Sequence, residues 1–256
     1  MSNQLQCLIF DVDGTLANTE RDGHRVAFNR GFQAAGLDWH WSVNLYGELL
    51  SVSGGKERLK YFLRQYLPEF KPDGELNDFV AHLHQLKTKY YLELMRNGAI
   101  GLRPGAKRLI EEARAAGISL AIATTTSLPN VIALLEKYLD LDWFALIAAG
   151  DLVPAKKPAP DIYYYVIKRL ELDPDRVIVV EDSDNGLESA IAAGLTTVVT
   201  VNNYTKQQDF SQAALVVSDL GEPEQPCRVI QGNFAGNYLD IAGLRSMIKI
   251  NPRVLH

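Results

Sequence analysis

Short, almost uninterrupted apolar runs recur along the chain and are separated by longer amphipathic segments. The runs cover residues 6–10, 118–124, 144–149, 176–181 and 196–201. Continuous apolar strands with helices between them are typical of a parallel sheet that is covered on both faces. The pattern therefore predicts an α/β fold built on a doubly wound parallel sheet.

Residues from about 21 to 97 interrupt this alternation, because their apolar residues recur only at helical spacing. Two segments rich in small or turn-forming residues, GTLANTE and RNGAIGLRPG, bound this stretch and are suited to serve as paired hinges. We predict an all-helical cap domain at 19–98. It is inserted into a Rossmann-like core made of residues 1–18 and 99–256.

The composition of the chain argues against several kinds of partner and location. The chain has 256 residues, 47% of them hydrophobic, and a formal net charge of -5, so it lacks the basic surface that nucleic acids require. No stretch of 18 apolar residues occurs, and the N-terminus resembles no secretion signal. Cys7 and Cys227 are too few and too far apart for a disulfide framework. We expect a cytoplasmic monomer with no membrane partner.

The stretch LIFDVDGTLANTE places Asp11 and Asp13 at the end of the first apolar run. In an extended segment alternate side chains point the same way, so the two carboxylates crowd one spot. Such crowding favours a hard cation such as Mg²⁺. Gly14 permits a sharp turn, and Thr15 offers a hydroxyl to a neighbouring carboxylate. An ordinary Asp-Gly turn after a strand is the alternative interpretation.

Three later fragments also follow predicted strands. They are AIATTTS, which contains Thr124, AKKPAPDIY, which contains Lys157, and VVEDSDNG, which contains Glu181 and Asp182. Taken singly, these residues fit a strand threonine, a solvated loop lysine and a helix cap. Their joint occurrence in order, at strand ends that meet at one sheet edge, favours a single site.

These four fragments resemble the four motifs of the haloacid dehalogenase superfamily of phosphotransferases, over about residues 4–220. The resemblance implies that Asp11 is the nucleophile and forms an aspartyl-phosphate. It makes Asp13 the general acid and then the base, and it assigns Thr124 and Lys157 to the transferring phosphoryl group. Dehalogenases of the superfamily lack the second aspartate, so Asp13 favours phosphate chemistry over halide chemistry.

The resemblance also implies a Mg²⁺ site. Its ligands would be the Asp11 carboxylate, the Asp13 backbone carbonyl and Asp182, with Glu181 bound directly or through water. The expected partner is a small phosphorylated sugar.

In the cap, the segment SVSGGKERLKYFL suggests an anion site, because Gly54 and Gly55 precede a helix that opens with Lys56 and Arg58. A surface helix start is the alternative. The segments SGGKER and ANTE most resemble the CbbY-type subfamily, which removes one phosphate from xylulose 1,5-bisphosphate. By that resemblance Glu20, Tyr46, Thr125 and the GGKER residues would bind the substrate.

Two other functions remain open. One is a phosphosugar mutase of the β-phosphoglucomutase type, which uses the same core and cap, and His24 fits either enzyme. The other is a non-catalytic phosphosugar sensor. His82 and His84 stand two residues apart on a predicted helix and point apart, so we interpret both as surface residues. We expect tyrosines 163–165 to serve packing and segment 238–250 to form a helix docked on the core.

Overall fold

A computed structural model describes residues 5–98 and 100–248, and its centre is one mostly parallel sheet. The strands are β1 (Cys7–Phe10), β2 (Ser119–Thr124), β3 (Leu146–Ala149), β4 (Val177–Glu181), β5 (Thr196–Thr200), β6 (Leu215–Val217) and β7 (Val229–Gln231). They are arranged β3-β2-β1-β4-β5-β6-β7, and only β7 runs antiparallel to its neighbour. The predicted fold class is confirmed.

The central strand β1 shows why its sequence is uniformly apolar. Cys7 and Ile9 pack into the core on one face of the sheet, whereas Leu8 and Phe10 pack into the core on the other. All four side chains are fully buried. Because both faces are covered by helices, neither set of alternate positions is free to be polar.

Only helices and their connections lie between β1 and β2 in the described residues. They are a π-helical turn (Glu20–His24), α1 (Arg25–Ala34), α2 (Val43–Leu49), α3 (Gly55–Tyr66), α4 (Leu76–Arg96) and α5 (Ala106–Ala115). The α-helices that follow β2 are α6 (Leu128–Tyr138), α7 (Asp161–Leu170), α8 (Asp184–Ala192) and α9 (Ile241–Ser246). The proposed domain boundaries at 18/19 and 98/99 stay a prediction, and residues 1–4, 99 and 249–256 lie outside the described residues.

The helices α1 to α4 have a core of their own, which is rich in aromatic rings. The Trp41 ring lies 4.6 Å from Phe28, 5.0 Å from Phe32 and 5.3 Å from Phe62, centroid to centroid. Such tilted and edge-on pairs stabilise a small core beyond their buried area. The helical insert can therefore hold its shape and present a fixed surface to the sheet edge.

The two segments that connect the insert to the sheet are joined to each other. Ala17 and Leu102 form an antiparallel bridge, and the Arg103 amide donates to the Leu16 carbonyl at 2.8 Å. The buried Arg103 guanidinium also donates to the carbonyls of Gly14, Thr200, Val201 and Ser218. One side chain thus ties the loop after β1 to the far side of the sheet.

The C-terminal segment continues the core. Strand β7 pairs with β6, and Leu239, Ile241 and Leu244 are buried in the core on the α5 side of the sheet. The predicted docked helix is present as α9, which is shorter than the segment that suggested it. No described helix is both long and apolar enough to cross a membrane.

Candidate active site

The carboxyl ends of β1, β2 and β4 bring the predicted core residues together. Asp11 directly follows β1, Thr124 ends β2, and Glu181 ends β4 with Asp182 next to it. A narrow cavity of about 70 Å³ lies at this edge, and its lining includes Asp11, Thr124, Asp182 and the buried Lys157. Convergence of the fragments at one sheet edge is therefore observed, although their catalytic roles stay predictions.

Lys157 lies at the centre of this cluster and is buried. Its Nζ donates to Asp11 Oδ1 at 2.8 Å, to Glu181 Oε1 at 2.5 Å and to the Ala123 carbonyl at 2.8 Å. Burial alone would lower the pKa of Lys157, but the two carboxylates raise it above its ordinary value. Lys157 is therefore a permanent cation held against Asp11, which corrects the view of it as a solvated loop lysine.

Three buried carboxylates face one another beside Lys157. Atoms of Asp11, Glu181 and Asp182 all lie within 4.8 Å of one another. Burial raises the pKa of Asp11 to about 8, with Glu181 and Asp13 adding to the effect and Lys157 opposing it. Burial and the charges of Asp11 and Glu181 likewise raise the pKa of Asp182 well above its usual range. Such a surplus of hard oxygen donors suits Mg²⁺, which would restore the ionised forms.

Glu181 is the most constrained member of the cluster. Its Oε1 accepts from Lys157 and, at 2.5 Å, from the Tyr163 hydroxyl, while its Oε2 accepts from the Asp182 amide at 3.2 Å. A Cβ added at Gly186 would lie 2.1 Å from Oε2, so helix α8 can approach only with glycine there. The packing expectation for Tyr163 missed this bond, although an apolar environment beside a carboxylate is where a buried tyrosine hydroxyl finds a partner.

Neither Glu181 nor Asp182 caps helix α8, which corrects the alternative interpretation of that pair. Ser183 is the capping residue, and its side chain accepts from the Gly186 amide. Asp182 instead accepts a hydrogen bond from the Asn202 side-chain amide at 2.5 Å. Its carboxylate is thereby oriented within the cluster.

Asp13 is held by the segment that leads into the cap. Its Oδ1 accepts from the Thr19 hydroxyl and lies 2.8 Å from His24 Nε2. Burial would raise the pKa of Asp13, but His24, Thr19 and the charge of Lys87 together hold it well below its usual range. The hydroxyl partner expected from Thr15 comes from Thr19. Within the described part of the chain, the buried Thr15 hydroxyl has no hydrogen-bond partner.

A wider cavity of about 520 Å³ opens above Asp13, between the helical insert and the sheet edge. Four cationic side chains line it, and so do three carboxylates and two histidines. They are Lys56, Arg58, Lys87, Lys156, Asp13, Glu20, Asp151, His24 and His84. Thr125, Gly54 and Gly55 also line it. The cavity therefore presents both charges and hydrogen-bonding groups, which suits a polar anionic ligand.

Glu20, Tyr46 and Arg58 form a bonded group on the cap side. The Tyr46 hydroxyl donates to Glu20 Oε2 at 2.5 Å and accepts from Arg58 Nη1 at 3.0 Å. Glu20 and Arg58 line both cavities, whereas Tyr46 is fully buried and lines neither. Tyr46 thus lies behind the two charged residues and is bonded to both, and its expected contact with the substrate stays a prediction.

The helix start at Gly54 and Gly55 is crowded. Lys56 Nζ lies 2.5 Å from Asp151 Oδ2, and Lys156 Nζ lies 2.9 Å from Asp151 Oδ1 and 3.0 Å from Glu57 Oε2. A Cβ at Gly54 would lie 2.2 Å from Glu57 Oε2 and 2.8 Å from Lys156, and a Cβ at Gly55 would lie 2.8 Å from the His84 ring. The two glycines thus leave room for neighbouring side chains, which sequence alone did not indicate.

His84 and Lys87 on α4 are cleft residues that the sequence interpretation missed. The surface interpretation is correct for His82, which is exposed, and wrong for His84, which is partly buried. Burial and the nearby charges of Lys87, Lys56 and Lys156 lower the pKa of His84 to about 3. Lys87 is buried, and its Nζ lies 5.4 Å from the Phe28 ring centroid and 5.2 Å from that of Tyr91. The spacing of three residues places His84 and Lys87 on one helix face, but it does not indicate that this face lines the cleft.

The fold and the buried cluster define a class of protein. The sequence model of the haloacid dehalogenase-like hydrolase family matches residues 5–194. The chain therefore belongs to the haloacid dehalogenase-like hydrolases and is a phosphatase of that family.

Particular relatives cover nearly the whole chain. Protein CbbY, plasmid, of Cupriavidus necator is 45% identical over 245 residues, which are 94% of this chain and 96% of that protein. The CBBY-like protein of Arabidopsis thaliana is 41% identical and covers 85% of this chain and 70% of its own. A crystal structure of a CbbY variant from Rhodobacter sphaeroides, in complex with xylulose 1,5-bisphosphate, is 44% identical with a TM-score of 0.79. It covers 84% of this chain and 95% of that chain.

Proposed function

We propose that this protein is a Mg²⁺-dependent phosphatase of phosphorylated sugars and that its substrate is xylulose 1,5-bisphosphate. The observation that carries the proposal is the bond from Lys157 to Asp11 in the narrow cavity, with Lys56 lining the wider cavity and Arg58 lining both. A ligand with phosphates at both ends fits this charge distribution. The relative crystallised with xylulose 1,5-bisphosphate supports the choice of sugar.

In the first half-reaction a carboxylate oxygen of Asp11 attacks phosphorus, and the bond from phosphorus to the sugar oxygen breaks. Asp13 gives its proton to that departing oxygen. Lys157 offsets negative charge at the reacting group, and Thr124 and Thr125 donate hydrogen bonds to the phosphoryl oxygens. In the second half, ionised Asp13 takes a proton from water, which attacks the aspartyl-phosphate and releases phosphate.

Asp13 must be protonated at the start of this cycle, although Thr19 and His24 hold its carboxylate ionised without substrate. A phosphate dianion that arrives beside Asp13 opposes this ionisation, because like charges disfavour each other. Asp13 must gain its proton before the first half-reaction, and it is ionised again, as the second half-reaction requires, once it has given that proton to the departing oxygen.

The residues that would hold Mg²⁺ are Asp11, Asp182 and the backbone carbonyl of Asp13. Both oxygens of Glu181 already accept hydrogen bonds, which favours contact between Glu181 and the ion through water. The ion would neutralise the buried carboxylates and draw negative charge from the phosphoryl oxygens.

Lys56→Ala tests the substrate assignment. A hydrogen bond to a charged group contributes roughly 1.5–3 kcal/mol, so its loss should lower kcat/KM for xylulose 1,5-bisphosphate by about 10- to 150-fold. Activity on p-nitrophenyl phosphate, which has no second phosphate, should stay near that of the wild type. Lys60→Ala, an exposed lysine one turn further along α3, is the matched control.

Equal losses on both compounds, or no loss on the bisphosphate, would contradict the assignment. Continuous release of inorganic phosphate distinguishes this activity from that of a mutase. A mutase would instead convert β-glucose 1-phosphate to the 6-phosphate with little release.

A further inference from the structure

The ion pairs at the mouth of the cleft join residues that are far apart in sequence. Lys56 and Glu57 belong to the start of α3, Asp151 follows β3, and Lys156 immediately precedes the buried Lys157. Asp151 accepts from both lysines, so each of its carboxylate oxygens is engaged. These four residues, called the mouth cluster below, carry two positive and two negative charges.

The mouth cluster is neutral as it stands. Hydrogen bonds from Lys56 and Lys156 lower the pKa of Asp151 to about 2, so its carboxylate is ionised at neutral pH. A ligand that reaches this end of the cleft therefore meets Lys56 with its charge already balanced. No net attraction for an arbitrary anion results from this pair.

The Lys56–Asp151 contact is also the exposed part of the cluster. The side chains of Lys56 and Asp151 are 39% and 56% exposed, whereas that of Lys156 is 14% exposed. Exposed ion pairs are held weakly and exchange partners readily. Asp151 keeps its bond to Lys156 if it releases Lys56, and Lys156 also keeps its bond to Glu57.

We propose that Asp151 is a specificity-determining residue that acts as a displaceable counter-ion of Lys56. This inference rests on the proposed function, in which Lys56 binds the remote phosphate. A phosphate dianion brings two charges and three acceptor oxygens, so it displaces a single exposed carboxylate from Lys56. A monophosphate has no group that reaches Lys56 and leaves the pair intact. Asp151 thereby weakens the binding of stray anions and favours ligands that carry a second dianion.

Asp151→Asn tests the inference, because it removes the charge and keeps the shape. Without the competing carboxylate, KM for xylulose 1,5-bisphosphate should fall by roughly 3- to 30-fold, the range expected for one unit charge acting on a dianion across a wet cleft. The gain should shrink as salt is raised. Activity on p-nitrophenyl phosphate should change less than about two-fold, which is the size of effect expected of a surface substitution that does not contact the substrate.

Two variants complete the experiment. In a Lys56→Ala background the gain from Asp151→Asn should be largely lost, because no lysine is left to be freed. Asp73→Asn removes the same charge from the exposed loop between α3 and α4 and should have no effect. A gain that persists without Lys56, or equal losses on both substrates in Asp151→Asn, would overturn the inference. The second result would identify the pair as a clasp between insert and sheet.

Failure of the proposed function can be told apart from failure of this inference. If the wild type releases no phosphate from the bisphosphate, the proposed function fails. The exchange is then read from the NMR signal of ¹³C-methylated Lys56, which keeps its charge, during titration with inorganic phosphate. The signal should shift at lower phosphate concentration in Asp151→Asn than in the wild type. Identical titrations would overturn the exchange itself.

Discussion

Replacing Lys87 by methionine is expected to stabilise the protein while lowering its activity. Lys87 is 3% exposed, and in the described residues its ammonium forms no ion pair or hydrogen bond, only the contacts with the Phe28 and Tyr91 rings. Burial lowers the pKa of Lys87 from 10.5 to about 8, although Asp13 and Glu20 oppose the change. A buried charge without a close partner costs stability, and a cleft-lining position explains why the chain retains it.

The expected gain in stability follows from the lowered pKa of Lys87. The folded state binds the Lys87 proton less tightly than the unfolded state, so burial of the charged form costs about 3 kcal/mol at pH 7. Between pH 8 and 10.5 the unfolded chain holds more protons, and the stability of the wild type rises relative to the variant. The advantage of Lys87→Met should therefore fall from about 3 kcal/mol at pH 7 to about half of that at pH 9.5.

Urea unfolding of both proteins at the two pH values measures this difference directly. Lys89→Met, which removes an exposed lysine from the same helix, is the matched control and should change stability by less than about 0.5 kcal/mol. A Lys87→Met protein that is less stable than the wild type at pH 7 would refute the reasoning. An advantage that does not depend on pH would refute it as well.

Two further substitutions probe the support of Glu181. Tyr163→Phe removes the buried hydroxyl that donates to Glu181 and should lower the free energy of unfolding by about 1.5–3 kcal/mol and weaken Mg²⁺ binding measured by calorimetry. Tyr164→Phe removes an exposed hydroxyl that donates to the Ala192 carbonyl, so it should cost less stability and leave Mg²⁺ binding unchanged. Unchanged Mg²⁺ affinity in Tyr163→Phe would argue against this positioning role. Gly186→Ala places a methyl 2.1 Å from the Glu181 carboxylate and should cost roughly 1–3 kcal/mol together with most activity, while Gly101→Ala, where the added carbon meets nothing within 4 Å, should be silent. Normal turnover in Gly186→Ala would show that Glu181 can move without consequence.

The sheet and its functional edge were predictable because they depend on local patterns. Asp11, Thr124 and Glu181 each stand at the end of an apolar run, and parallel strands bring such ends together whatever lies between them. Strands β6 and β7 were missed because three-residue strands hardly differ from loops in their apolar pattern.

The cleft residues were harder to predict because their partners are distant in sequence. Lys56 and Asp151 are 95 residues apart, and only the packing of the insert over the sheet brings them together. Thr15 and Thr19 are only four residues apart, yet of the two hydroxyls only that of Thr19 donates to Asp13. His84 enters the cleft because Gly55 on the neighbouring helix leaves it room. None of these choices follows from residue type or spacing alone.

The central claim is that Asp11 is the nucleophile that attacks phosphorus and forms the aspartyl-phosphate. Brief exposure of the protein to xylulose 1,5-bisphosphate with Mg²⁺, followed by acid quenching and peptide mass spectrometry, measures it most directly. The account predicts one phosphoryl group on the peptide that contains Asp11 and none in the Asp11→Asn protein, whose fold should be unchanged because the amide keeps the carboxylate's shape. A phosphoryl group mapped to any other residue, or full turnover by Asp11→Asn, would contradict it.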